Sequence, residues 1–210
     1  MEAYKTEEEQ VEAIKKWWKE NASHVIVGVC VVLIAIGGWR YWQGQQHSSS
    51  IHASTLLDLA VDGLSDNNDQ QVSDAAGQVL SEFSDTGYSP FAALTLAKSK
   101  HAAGDFVSAQ TYLQWALDNT DDDALQHVAR VRLAAVLWEQ DKADEALQLI
   151  NGVDQGKFVA SYEDLRGDIL ASQGKASEAI KAYEIAMSDE SFADPESIKL
   201  KISALKSSAE

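Results

Sequence analysis

Apolar residues follow two different patterns along this chain. From Val25 to Trp39 (VIVGVCVVLIAIGGW) they form a run without a charged side chain. Counted to Trp42, the run makes about 27 Å of helix, the thickness of a bilayer core. Trp17, Trp18, Trp39, Tyr41 and Trp42 stand where aromatic rings settle at membrane interfaces, and Lys19 and Arg40 can snorkel towards head groups. Ahead of the run, Val11, Ile14 and Trp18 recur at helical spacing among Glu12, Lys15, Lys16 and Lys19, and Thr6 with Glu9 has the form of a capping box. This predicts a short amphipathic helix leading into the span.

After a polar stretch, Gln43 to Ser50 (QGQQHSSS), which reads as a tether, the pattern changes to helix, short loop, helix. Leu56, Leu57, Ala60, Val61 and Leu64 mark one helix within Ile51 to Leu64. A loop is expected from Ser65 to Gln71 (SDNNDQQ), and Ala75, Ala76, Val79, Leu80 and Phe83 mark the next helix. No window alternates apolar and polar residues as a half-buried strand does.

Self-comparison sharpens the reading, because three stretches superpose at offsets of 37 and then 33 residues. They are Leu96 to Leu117, Leu133 to Ile150 and Arg166 to Met187. The small residues Ala97, Ala134 and Gly167 align, as do the turn residues Gly104, Asp141 and Gly174. The alanines Ala109, Ala146 and Ala179 align too, each followed four positions later by Leu113, Ile150 or Tyr183. A period near 34 with these features is the tetratricopeptide pattern, in which small residues let helix backbones approach and the turn residue ends a helix in the left-handed conformation. Lys100 and Arg166 occupy positions where an apolar residue is usual, and Asp141 stands for a turn glycine. At the far end, Asp194 and Pro195 open a helix with Ile198, Ile202 and Leu205 on one face, placing Lys199, Lys201 and Lys206 on a wet outer face. The fold class is therefore all-α, a single N-terminal transmembrane helix followed by a tetratricopeptide-like α-solenoid.

Charge sets the orientation and narrows the partners. Lys5, Lys15, Lys16 and Lys19 precede the span, and no Lys or Arg follows Arg40 until Lys98, so the amino-terminal side is expected to be cytoplasmic. A cleaved leader is the rival reading, with Ala35 and Gly37 as a weak cleavage signal. Six glutamates ahead of the run and the Trp39–Trp42 aromatics after it favour an uncleaved signal anchor. The net charge is -16, carried almost wholly by the part after Trp42, which argues against nucleic acid as a partner. Cys30, the only cysteine, rules out an intrachain disulfide. There is no glycine-rich phosphate loop, no HExxH and no paired cysteine ligands, and the histidines are scattered, so no catalytic residue, metal or cofactor is expected. The run Asp121, Asp122 and Asp123 reads as a helix-capping turn.

The opening MEAYKTEEEQVEAIKKWW, the GWRYW end of the apolar run, and Asp164, Leu165, Arg166 and Gly167 leading the last repeat resemble the YfgM family, the ancillary subunit of the SecYEG translocon in Gram-negative bacteria. The resemblance spans essentially the whole chain. It implies an inner-membrane protein with a periplasmic tetratricopeptide domain; the pattern of residues sets the expected bounds, a cytoplasmic segment over 1–21, a signal-anchor helix over 22–42, a tether over 43–50, and a repeat domain with a terminal capping helix over 51–210. It further implies association with the SecYEG translocon and the periplasmic chaperone PpiD, and assistance to exported protein chains, with the lipid bilayer met through one helix. A scaffold for cell-envelope assembly unrelated to export is the alternative.

In a helical solenoid the first helix of each pair lines the concave face. On the repeat alignment that face presents Phe91, Leu94, Lys98, His101, Val131 and Trp138 as candidate partner-binding residues. The same spacing suits core packing for Phe91, Leu94 and Trp138, and both roles stay open at this level.

Overall fold

The computed structural model describes residues 7–189 and 194–207, with side chains from Gln10 onward, so Thr6 of the expected capping box lies outside the described residues. The chain divides into two compact units, 1–49 and 50–210. The first helix, α1 (Glu7–Ser65), supplies all of the described first unit and the opening of the second. Its apolar window is long enough to cross a membrane, and none of that window is buried by protein. The aromatic side chains of Trp17, Trp18, Trp39, Tyr41 and Trp42 are all exposed, as are Val27, Val31 and Ile34. The helix is thus apolar along this window, and nothing of its own chain covers it.

Residues 43–50, expected as a polar tether, are helical. Glutamine is a good helix former, no proline interrupts, and Gly44 alone costs about 1 kcal/mol relative to alanine. Extending an existing helix adds a hydrogen bond per residue without a new nucleation step.

The second unit is built from helix pairs. The end of α1 packs on α2 (Asp69–Glu82) in antiparallel fashion: His52 stacks on Phe83 at one end, and Gly63 lies against Val72 at the other. The connection is shorter than the expected loop, because Asn67 takes the left-handed conformation at φ 53° and the Asn68 side chain caps α2 by accepting from the Gln71 N–H at 3.2 Å. Then follow α3 (Ser89–Ala102) with α4 (Phe106–Asp118), α5 (Asp123–Glu139) with the short α6 (Ala143–Ile150), and α7 (Val159–Ser172) with α8 (Ala176–Met187). A single 3₁₀ turn, Gly156–Phe158, precedes α7. The terminal α9 (Pro195–Ser207) packs on α8. No strand occurs among the described residues.

The repeat positions are the core positions. Ala109, Ala146 and Ala179 have no exposed surface, and Leu113, Ile150 and Tyr183 are buried beside them. Ala97 and Ala134 are buried at the facing helices, as is Gly167. The aligned turn residues Gly104, Asp141 and Gly174 all adopt the left-handed conformation, at φ 75°, 61° and 74°. Asp105 and Asp122 cap α4 and α5 through the backbone N–H groups of Ser108 and Leu125. Hydrogen bonds from the Ser108 side chain and backbone hold the Asp105 carboxyl below its ordinary range.

The departures from the repeat pattern are accommodated locally. Lys100 is half-buried and extends its ammonium to Ser73 Oγ at 3.3 Å. Arg166 pairs with the buried Glu163 at 3.4 Å, which also accepts from Gln155.

At the chain's far end Asp194 accepts from the Ser197 N–H, Pro195 begins the helix, and Ile198 is fully buried, as the sequence pattern requires. Lys201 differs from expectation. Its side chain turns inward and donates to Asp164 Oδ1 at 2.7 Å and Asp168 Oδ2 at 2.8 Å, 5.4 Å above the Tyr183 ring. The reason is electrostatic: α7 presents two carboxylates one turn apart, and a cation with a long apolar stem reaches both from the edge of the stripe.

Candidate protein-binding groove

Helices α3 and α5 are the first members of consecutive pairs and lie side by side. Between them opens a cavity of about 400 Å³. Its floor is apolar, made by Leu94 and Ala97 of α3, Ala135 and Val136 of α5, and Leu113 of α4. Its rim is charged. His101, in the last turn of α3, meets Glu139, the last residue of α5, with Nε2 and Oε2 2.6 Å apart. This pair bridges the walls at the C-terminal end of the two helices, and Phe106 meets the His101 ring edge-on, 5.4 Å between centroids. Further along stand Lys98 and Arg132, both exposed and, among the described residues, without an ion-pair or hydrogen-bond partner.

Leu94, Lys98 and His101 therefore converge on one cavity. The other three candidates do not line it. Phe91, 43% exposed, faces a separate depression bordered by the 84–90 turn and by Asn119 to Asp122. Val131 is partly buried against the core. Trp138 is packed in the same way, its indole N–H donating to Ser172 Oγ at 3.0 Å. Sequence alignment missed Arg132, Ala135, Val136 and Glu139 because matched positions such as Leu94 and Val131 are equivalent rather than touching. The residues that face α3 across the groove lie one to a few positions further along α5, a shift that helix direction sets.

A second polar cluster links α5 to α7, where His127 Nδ1 and the Tyr162 hydroxyl are 2.9 Å apart and the imidazole stacks on Phe158. His101 and His127 thus belong to different clusters. Among the described residues no three His, Cys, Asp or Glu side chains gather as metal ligands. The cavity between α3 and α5 thus joins an apolar floor to a few fixed charges.

Residues 15–207 match the tetratricopeptide repeat-like domain family. A protein of Haemophilus influenzae named as an ancillary SecYEG translocon subunit is 33% identical over 205 residues, covering 97% of this chain and 100% of that one. Its namesake in Escherichia coli is 34% identical, over 98% of this chain and 99% of its own. The chain belongs to the ancillary SecYEG translocon subunit family. Among solved structures, BtubC (BKLC) from P. vanneervenii aligns with a TM-score of 0.53 at 17% identity, covering 80% of this chain and 84% of that one. That likeness concerns the fold alone. In this family member the long apolar α1 and the repeat domain both fall within the matched length.

Proposed function

We propose that this protein is a membrane-anchored scaffold of the Sec translocon. Its single span is α1, its amino-terminal segment is cytoplasmic, and its repeat domain stands on the periplasmic face of the inner membrane, where it binds chaperones and helps exported chains as they emerge. The observation that carries the reading is relatedness over the full length, anchor and repeats together, to proteins named as translocon subunits. The lysine bias supports the orientation. Confinement beside a translocon raises the effective concentration of partners, so modest affinity in a groove suffices. PpiD is the chaperone that the family resemblance suggests, and the reading assigns no catalytic step.

The test is affinity purification of the tagged full chain from gently solubilised membranes. Translocon subunits and a periplasmic chaperone should be recovered with it. Recovery of envelope-synthesis enzymes with neither of those would replace this reading by the envelope-assembly scaffold.

A further inference from the structure

The turn that ends α6 holds a chemical feature unrelated to the groove. Asn151 is the one asparagine of the sequence that is followed by glycine. Both residues are exposed, and Gly152 takes the left-handed conformation at φ 73°. The Asn151 main-chain N–H donates to the Leu147 carbonyl at 3.0 Å, which closes the last turn of α6. Neither the Asn151 side-chain amide nor the Gly152 N–H has a hydrogen-bond partner among the described residues. The other asparagines differ. Asn21 and Asn119 donate their side-chain amides to the carbonyls of Trp17 and Trp115, Asn68 caps α2, and Asn67 is followed by Asn68, whose Cβ crowds its own nitrogen.

We propose that Asn151 and Gly152 form a site of spontaneous covalent modification, deamidation through a cyclic imide, which loosens the junction between α6 and α7 as the protein ages. The Gly152 amide nitrogen gives up its proton to solvent base and attacks Cγ of Asn151. A nitrogen–carbon bond forms, and the Cγ–Nδ2 bond breaks as Nδ2 leaves as ammonia. Water then opens the five-membered ring. Cleavage at Cγ leaves aspartate, and cleavage at the main-chain carbonyl leaves isoaspartate, whose main chain runs through Cβ and Cγ. One water is consumed and one ammonia released, with no oxidation or reduction. Glycine suits the attacking position because no Cβ shields its nitrogen. With Asn151 extended at ψ 145°, ring closure requires a rotation about its Cα–C bond, and in this exposed turn no hydrogen bond of Gly152 or Val153 opposes it. The consequence is local. Either product puts a carboxylate at the C-terminal end of α6, where the partial charge of the helix is also negative. Isoaspartate also lengthens the main chain directly after Ile150, which is fully buried, and ahead of Phe158, which packs against the same core. This chemistry belongs to the chain whether or not the chain serves a translocon.

The experiment incubates the full chain in detergent micelles in mildly alkaline buffer. It is followed by isoelectric focusing, by peptide mass after digestion in acid, and by methyl transfer from an isoaspartyl methyltransferase. The parallel variant is Asn151→Gln, which keeps an exposed amide at the same place but would have to close a larger, less favourable ring. The wild type should accumulate a form one charge more acidic. Its peptide across residue 151 should gain one mass unit and accept methyl groups, and the aged protein should melt lower than the fresh one. Asn151→Gln, aged beside it, should show none of these changes. The same acidic form in Asn151→Gln, equal conversion at Asn67, Asn68 or Asn119, or a melt that ageing leaves unmoved overturns the proposal. Conversion that appears only in urea overturns it too, because the folded turn would then protect the bond.

Discussion

Gly167 of α7 lies directly against the aromatic ring of Tyr183 of α8, so closely that a Cβ at position 167 would collide with the ring. The equivalent pairs in the preceding repeats are Ala97 with Leu113 and Ala134 with Ile150. The last repeat thus exchanges a methyl group on one helix for a larger ring on the other. Gly167→Ala should destabilise the protein by about 1–3 kcal/mol through overpacking. Combining it with Tyr183→Leu should cost less than the sum of the single changes, because the smaller side chain makes room for the methyl group. Urea denaturation of all three variants measures this, and strict additivity would refute the coupling.

Ala146 has no exposed surface where α6 meets α5. Ala146→Leu should overpack that crossing and lower stability by about 1–3 kcal/mol. A thermal melt that does not move would show the crossing to be looser than described.

Asp141 holds the left-handed conformation at φ 61°, where Gly104 and Gly174 stand in the neighbouring repeats. A non-glycine residue pays about 1–2 kcal/mol for that conformation, partly offset by the greater chain entropy of glycine when unfolded. Asp141→Gly should therefore stabilise by up to about 1 kcal/mol, and Asp141→Val should destabilise. The chemical denaturation midpoints should rank Gly above Asp above Val.

Around α9, alkali is the sensitive direction. Burial and the hydrogen bond to Asp168 push the Tyr183 hydroxyl above its ordinary 10.0. Burial works against the Lys201 ammonium, but its bonds to Asp164 and Asp168 outweigh that and raise it above 10.5. In both cases the folded protein binds its proton more tightly than the unfolded chain. The contribution is complete below about pH 10 and is lost as pH rises through the folded values. Melting temperature should fall as pH is raised from 9 towards 12, and Lys201→Met should be less stable at neutral pH and show a shallower fall. A variant whose alkaline profile parallels the wild type would exclude Lys201 as the titrating anchor.

Cys30 sits in the middle of the apolar window and is exposed on α1. If the window spans the bilayer, a membrane-impermeant maleimide should fail to label Cys30 in intact membranes and label it once detergent is added. On spheroplasts, external protease should remove the repeat domain and leave a small membrane-bound stub. Ready labelling without detergent would contradict the span.

Two kinds of information built this molecule. The apolar run of α1, the all-helical character and the repeat positions were legible in the sequence, because each depends on spacing along a single helix or on one residue's backbone preference. Ala109, Ala146 and Ala179 fall at buried crossings for that reason, and so do the left-handed turns at Gly104, Asp141 and Gly174. Relations between helices were not legible. Helix propagation through Gln43 to Ser50 overrode a stretch that looks polar and flexible. Lys201 turned inward only because α7 brought Asp164 and Asp168 within reach. Of the six candidate groove residues, packing gathered Leu94, Lys98 and His101 and left Phe91, Val131 and Trp138 elsewhere, while supplying Arg132 and Glu139 from the facing helix. A periodic pattern tells which side of a helix is apolar. Which residues meet across two helices depends on crossing angle and axial offset, and those are decided only when the side chains of both helices pack together.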